Sequence, residues 1–348
     1  MQTQPFPQII EAEKTAPVPL RLSLGSAIVL GLHKAAMEVA PTTLYTMLGD
    51  RCMGACRFCA QARDSTADPR LLSRVIWPAF DLEDVLSRLD GAPMVRRICV
   101  QTLRYPGLPA DLVALVERIR AVNPQPISVC MNPVQPEWLV RLKAAGVERV
   151  GVGLDCATEE IFRQVKPGFH WDRYHQFLEE IMRIFGQASV HLIVGLGERD
   201  EALLHKIQEV HDQGFSVALF AFTPIRGTRL RRPAPEIGRY RALQLAHYLI
   251  AHDQARAEAM TFEQGRLVRL QASPLVLVEA LREGAPFRTS GCPDCNRPLY
   301  NEHPRGPRYN YPAPLSVRER LQTHRELLTY LTDPTLAELE TVLQEDRP

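Results

Sequence analysis

The sequence predicts an α/β protein, a partial or complete (β/α) TIM-like barrel with helical and loop extensions, and three observations predict it. Strand-like apolar runs occur six times, at 43–47, 96–101, 127–131, 150–154, 190–195 and 217–222. Helical patterns separate them at 82–89, 110–122, 137–145, 172–185 and 201–213, and a βα repeat of this kind requires parallel strands. The 348 residues suffice for one barrel of about 200 to 250 residues plus extensions. Finally, a dense group of cysteines follows the first strand directly, and parallel barrels collect their chemistry at the C-terminal ends of strands.

Taken in order, residues 1–40 read as an N-terminal extension and helix. Residues 1–20 are proline-bearing and irregular, and 22–37 has the apolar spacing of a helix lying on the barrel's outside. Residues 41–285 are the barrel. After a helix at 239–252, the segment 260–283 is expected to complete its wall. Residues 286–348 hold a loop at 288–314 rich in Pro, Asn and Arg, then helices at 317–331 and 336–344.

Composition narrows the function. Lys and Arg number 41 against 40 Asp and Glu, so no global field favours nucleic acid or an anionic membrane. The N-terminus lacks a basic region followed by an apolar core, and His33 and Lys34 interrupt the run at 22–37. Neither a signal peptide nor a membrane span is expected, and the expected location is the cytoplasm. Eight cysteines in that compartment are metal ligands or buried thiols in preference to disulfides.

Cys52, Cys56 and Cys59 stand at C-x3-C-x2-C spacing. Three thiolates so placed can hold three irons of a [4Fe–4S] cube, whereas a compact zinc site normally shows C-x2-C pairs or histidines. A fourth iron without a protein ligand is open to a small molecule carrying an amino and a carboxylate group. The plainer readings are a zinc knuckle or incidental buried cysteines. The spacing resembles that of the radical S-adenosylmethionine (SAM) superfamily, which implies a barrel of the radical SAM type and SAM bound at the open iron. Phe58 matches the aromatic residue that members place before the third cysteine, beside the adenine.

The same resemblance makes demands elsewhere. The run HLIVGLGE at 191–198 resembles the superfamily's G-x-I-x-G-x-x-E strand, with His191 in place of the first glycine. It implies Ile193 against the adenine and a Gly195/Gly197 turn where backbone approaches ligand. Asp155, at the end of the fourth strand, suits the ribose hydroxyls, and Arg173 is the candidate for the methionyl carboxylate. An ordinary buried strand, a helix cap and a solvated helix face are the respective structural alternatives.

A second cysteine set comprises Cys99, Cys130, Cys292 and Cys295. Cys99 and Cys130 lie on the second and third strands, where biotin synthase carries auxiliary-cluster cysteines, but the third such cysteine falls at Ser189 here. A CxxC, Cys292-Pro-Asp-Cys295, follows the last barrel segment instead. Four cysteines suit a second iron–sulfur cluster and leave Cys156 as the odd one. The alternative is that Cys99 and Cys130 fill the core while the CxxC binds zinc or a cluster elsewhere.

The tail at 289–312, TSGCPDCNRPLYNEHPRGPRYNYP, with the segments IVGLGE (193–198) and TPIRGT (223–228), resembles the biotin-synthase-like branch, and within it the two-component lipoyl synthases of archaeal type. That resemblance spans roughly residues 40 to 315. It implies sulfur insertion into an octanoyl chain on a carrier-protein lysine, with the auxiliary cluster as sulfur source. It also implies an octanoyl-lysine peptide or acidic lipoyl-carrier protein as partner, a related radical SAM chain, and an electron donor such as ferredoxin or flavodoxin. The chemistry agrees, because no side-chain base can deprotonate an alkyl C–H bond and a radical must come from a cofactor. Arg226, Arg229, Arg231 and Arg232, after the sixth strand, could meet carboxylates by paired hydrogen bonds or form a solvated loop. Competing readings are biotin-synthase-like sulfur insertion into a free small molecule, a radical SAM mutase or maturation enzyme, and a non-catalytic iron–sulfur or zinc module.

Overall fold

The computed structural model describes residues 20–302 and 306–344. Expectations for residues 1–19 lie outside that range. The chain opens with β1 (Leu20–Leu22), α1 (Leu24–Val29) and β2 (Thr43–Leu48). Three short strands follow, β3 (Leu71–Leu72), β4 (Val75–Ile76) and β5 (Ala79–Phe80), then α2 (Leu82–Leu89). The βα repeat continues through β6 (Arg97–Thr102), α3 (Leu108–Val122), β7 (Ile127–Cys130), α4 (Pro136–Ala145) and β8 (Val147–Asp155). Next come α5 (Glu159–Val165), α6 (Trp171–Phe185), β9 (Ala188–Val194), α7 (Asp200–Asp212), β10 (Ser216–Ala221) and α8 (Ile237–Ala251). The hairpin β11 (Thr261–Glu263) and β12 (Arg266–Arg269), then α9 (Pro274–Glu283), α10 (Val317–Leu328) and α11 (Pro334–Gln344), close the chain.

One eight-stranded sheet has the order β10-β9-β8-β7-β6-β2-β1-β5. The six strands from β2 to β10 pair in parallel, as the repeat requires. Successive side chains alternate between the sheet's two faces. Ile98, Val100, Val129, Val150, Val152, Val190, Leu192 and Val194 are all buried on the face that meets the helices. Those helices cover it with apolar stripes such as Tyr174, Phe177, Leu178 and Ile181 of α6. The opposite, concave face carries the intervening residues, Cys99 and Gln101, Ser128 and Cys130, Gly151 and Gly153, His191 and Ile193.

The sheet is a partial barrel, open between β10 and the β1/β5 edge. Residues 260–283 do not complete the wall. β11 and β12 form a separate two-stranded ladder, and the extra strands of the main sheet are β1 and β5, both antiparallel to their neighbours. The helix expected at 22–37 is also shorter. Leu20–Leu22 pair with β2, Ser23 caps α1 by accepting from the Ser26 N–H, and Gly31 at φ 67° follows its end. What covers the open side is the C-terminal loop. At one end Ser290 Oγ accepts from Leu219 N (2.9 Å) and Asn301 Nδ2 donates to Ala221 O (2.9 Å) on β10. At the other, Thr42 and Thr43 hydroxyls donate to Asp294 O at 2.6 and 2.9 Å beside β2. A covered edge also removes a site for unwanted strand pairing. No helix among the described residues is long and apolar enough to cross a membrane.

Candidate active site

The loop leaving β2 brings Cys52, Cys56 and Cys59 to a cavity of about 220 Å³ at the C-terminal ends of the parallel strands. All three are free thiols. The loop turns tightly, with Cys59 N donating to Cys56 O (3.0 Å) and Gly54 N donating to Cys52 Sγ (3.3 Å). It also packs on the TPIRGT segment, where Thr66 N donates to Gly227 O at 3.0 Å. Gly227 is required there: its φ is 98°, and a Cβ would stand 2.4 Å from Ala67 N.

Burial pushes the Cys56 thiol up to about 12, helped by Asp155 and Cys52 and opposed by Lys166. Burial, then Cys56, pushes Cys59 up as well. Such thiols ionise only when a cation supplies the compensating charge, which is what ligation does. No group of three or more His, Cys, Asp or Glu among the described residues is drawn in to the spacing of one bare ion. A cube is bridged by its own sulfides and takes thiolates set wider apart. Three soft, unpaired sulfurs on one cavity wall fit a [4Fe–4S] cluster with one open iron.

The other predicted SAM-contacting residues divide. Phe58, Asp155 and Ile193 all line this cavity. Asp155 sits after a register shift in β8 that sets Gly153 opposite His191 and Asp155 opposite Leu192, and its φ of 67° is the left-handed conformation Asp tolerates better than most residues. Its carboxylate receives Lys166 Nζ at 2.8 Å.

Arg173 is not brought to the cavity. It belongs to the helical layer, where its guanidinium donates to Glu180 (2.8 Å) and Val134 O (2.6 Å). The cation on the cavity wall is Lys166. Nor is the turn at Gly195 (φ 107°) open to a ligand. Its N–H donates to Glu198 Oε1 (2.7 Å), while Leu196 and Gly197 donate to Oε2 at 2.9 and 3.0 Å. Glu198 is in turn held by Arg239 at 2.9 Å, so this carboxylate braces the strand end.

Cys99, Cys130, Cys292 and Cys295 converge on one smaller pocket of about 80 Å³. Alternation along β6 and β7 aims the first two inward, and the loop closing the barrel carries the other two over them. Gln101 Nε2 donates to Cys99 Sγ (3.1 Å), His191 Nδ1 lies 3.5 Å from Cys130 Sγ, and Tyr45 Oη lies 3.4 Å from Cys295 Sγ. Gly151 on the neighbouring strand makes room for His191, since a Cβ there would meet His191 Nε2 at 3.0 Å. Burial and then the neighbouring cysteines raise Cys99. Burial and then Asp155 push Cys130 up to about 12. Gln101, Cys130, His191, Phe220 and Tyr300 line both this pocket and the first cavity, so the two cysteine sets face one continuous interior. Ser189 is buried and outside the pocket, and Cys156 packs in the core.

Sequence reading missed Lys166, Gln101, Tyr45, Trp77 and Arg297. Gln101 was open to it, because it shares a strand face with Cys99. Tyr45 lies on β2 opposite Cys99, and Lys166, Trp77 and Arg297 depend on loop packing that no local pattern encodes. Of the four arginines after β10, Arg229 pairs with Asp64 at 2.9 Å, while Arg226, Arg231 and Arg232 are exposed.

A partial parallel barrel with a three-cysteine loop at its mouth defines a radical SAM protein. Residues 46–210 of the chain match the radical SAM superfamily. The chain is 30% identical over 146 residues to the GTP 3',8-cyclase of Streptomyces coelicolor, covering 40% of this chain and 39% of that protein. It is 23% identical over 185 residues to the biotin synthase of Sulfurihydrogenibium sp., covering 51% and 54%. The chain thus spans two fifths to about half the length of these curated relatives. The X-ray structure of the FeFe-hydrogenase maturase HydG from Carboxydothermus hydrogenoformans superposes with a TM-score of 0.50 at 12% identity, covering 87% of this chain and 81% of that one. That likeness concerns the fold.

Proposed function

We propose that this chain is a radical SAM sulfur-insertion enzyme of lipoyl synthase type, acting on a protein-bound octanoyl chain with a second iron–sulfur cluster as sulfur donor. The observation that carries the reading is the convergence of Cys99, Cys130, Cys292 and Cys295 on a pocket sharing five wall residues with the cavity of Cys52, Cys56 and Cys59. Similarity to a biotin synthase supports the sulfur chemistry, and the tail sequence at 289–312 supports the lipoyl branch.

When bound, the reduced first cluster and SAM supply a radical able to take hydrogen from an unactivated C–H bond, and the second cluster supplies sulfur. The chain's own residues prepare the site. Phe58 and Ile193 offer apolar surface for a purine, and Asp155 with Lys166 offers an acceptor and a cation for ribose hydroxyls and a carboxylate. Phe220 and Tyr300 wall the passage between the cysteine sets, and the loop at 289–302 covers the open side. Both keep out water and stray hydrogen donors that would quench a radical. The exposed Arg226, Arg231 and Arg232 suit an acidic carrier domain, and a ferredoxin or flavodoxin would supply the electron.

The test reconstitutes the chain anaerobically with isotopically labelled sulfide and supplies SAM, reductant, the related partner chain and an octanoyl-lysine peptide. Label in a thiolated octanoyl product is expected. An unlabelled thiolated product overturns the donor role, and an untouched peptide alongside consumed SAM overturns the substrate.

A further inference from the structure

Two side-chain N–H groups in the four-cysteine pocket have no hydrogen-bond partner, Trp77 Nε1 and Arg297 Nη1. Trp77 is 1% exposed and Arg297 9%. Buried donors are nearly always bonded, so an unbonded pair in one pocket points to an acceptor that belongs there. Two neighbouring side chains already have partners. Gln101 serves Cys99, and Arg97 is spent on Pro293 O (2.9 Å), Ser128 Oγ (2.7 Å) and Glu148 (2.9 Å).

The two donors also border a larger, mainly apolar cavity of about 410 Å³ on the outer side. Their placement nevertheless favours the cysteines. The Arg297 guanidinium stacks 3.8 Å from the centroid of Phe220, which lines the cysteine pocket and not the outer cavity. Trp77 packs in a small apolar cluster that Cys99 and Cys295 abut. Charge agrees, because several thiolates in a buried pocket need cationic or N–H compensation.

We propose that Trp77 Nε1–H and Arg297 Nη1–H are the donors for an anionic iron–sulfur group held by Cys99, Cys130, Cys292 and Cys295, and that they bind the side of it facing away from the SAM cavity. This rests on the second-cluster reading above. Neither residue lines the first cavity, whereas Gln101, Cys130, His191, Phe220 and Tyr300 do. Sulfur beside these two donors is thereby made less nucleophilic and retained, and sulfur on the opposite side faces the substrate. Both act as positioning residues.

Hydrogen bonds to cluster sulfurs stabilise the reduced state and raise the reduction potential. The experiment uses the full chain carrying Cys52→Ala, Cys56→Ala and Cys59→Ala, reconstituted anaerobically so that only the second set can hold iron. Into it are placed Trp77→Phe, Arg297→Met and Arg297→Lys, with iron content and melting temperature read for each. The expected result is a lower midpoint potential for Trp77→Phe and Arg297→Met, with partial recovery in Arg297→Lys. Loss of deuterium-sensitive Fe–S bands in the Raman spectrum should accompany it. Should Arg297→Met fail to fold, Trp77→Phe and Arg297→Lys carry the comparison. Unmoved potentials and unchanged deuterium-sensitive bands at equal iron content overturn this inference alone. A parent without iron overturns the second-cluster reading and this inference with it.

Discussion

Lys166 Nζ lies 2.8 Å from the Asp155 carboxylate in the cavity wall, with the two side chains 3% and 14% exposed, and the rings of Tyr174, Phe162 and Phe169 stand 4.5, 5.2 and 5.5 Å from the ammonium. Burial opposes the lysine's charge, but Asp155, Tyr174 and Cys56 together hold its pKa well above 10.5. The lysine's share of the pair's stability is therefore fully present just below the ordinary lysine range and is lost as pH rises through its raised folded value. Asp155→Ala strands a buried cation and is expected to cost about 3 to 5 kcal/mol. Asp155→Asn, which keeps an acceptor, should cost less. Denaturant melts measure both, and equal midpoints for Asp155→Ala and the parent would refute the assignment. In the same variants SAM should bind more weakly, read by equilibrium dialysis.

Tyr45 ties the CxxC loop to β2. Its hydroxyl accepts from Arg297 N at 2.8 Å and lies 3.4 Å from Cys295 Sγ. Tyr45→Phe leaves a buried backbone N–H unsatisfied, at a cost of roughly 1 to 3 kcal/mol. The loop should open more often, so Cys292 and Cys295 of the iron-free chain should be alkylated faster while Cys156 is unchanged. Identical alkylation rates would mean the loop is held by other contacts.

His247 gives the fold an acid limit outside the site. Burial, with His252 and His211 adding, lowers its pKa to about 4 from 6.5. Between those values the unfolded chain takes up a proton that the folded chain does not. Stability is full above pH 6.5 and falls by roughly 3 kcal/mol as pH drops to about 4. His247→Gln should flatten that part of the stability–pH curve. A curve of unchanged slope would assign the acid sensitivity elsewhere.

The six parallel strands were legible because each is an apolar run covered on one face by helices, and their ends fall within a few residues of those read from the sequence. The SAM-cluster cysteines and Phe58 were legible because a loop of fixed short spacing carries its own geometry. Cys99 and Cys130 were legible through the resemblance to biotin synthase, and strand alternation is what aims both inward. The segment at 260–283 misled because its apolar content packs as a hairpin and helix beside the barrel. Arg173 misled because its helix position gives no sign of whether Glu180 or the cavity claims the guanidinium. Lys166 could not be read at all: it follows α5, a helix the sequence did not announce, and reaches Asp155 through the packing of three aromatic rings.

The central claim is that two separate cysteine sets hold two iron–sulfur clusters around one interior. Iron and sulfide should be counted after anaerobic reconstitution in the parent chain, in the Cys52/Cys56/Cys59→Ala variant and in the Cys99/Cys130/Cys292/Cys295→Ala variant, with 5′-deoxyadenosine formation followed in each. The account predicts that each variant loses one cluster's iron and sulfide and keeps the other's. SAM cleavage should vanish in the first variant and persist in the second. Cleavage that survives loss of Cys52, Cys56 and Cys59, or an iron count unchanged by loss of the other four, would contradict it.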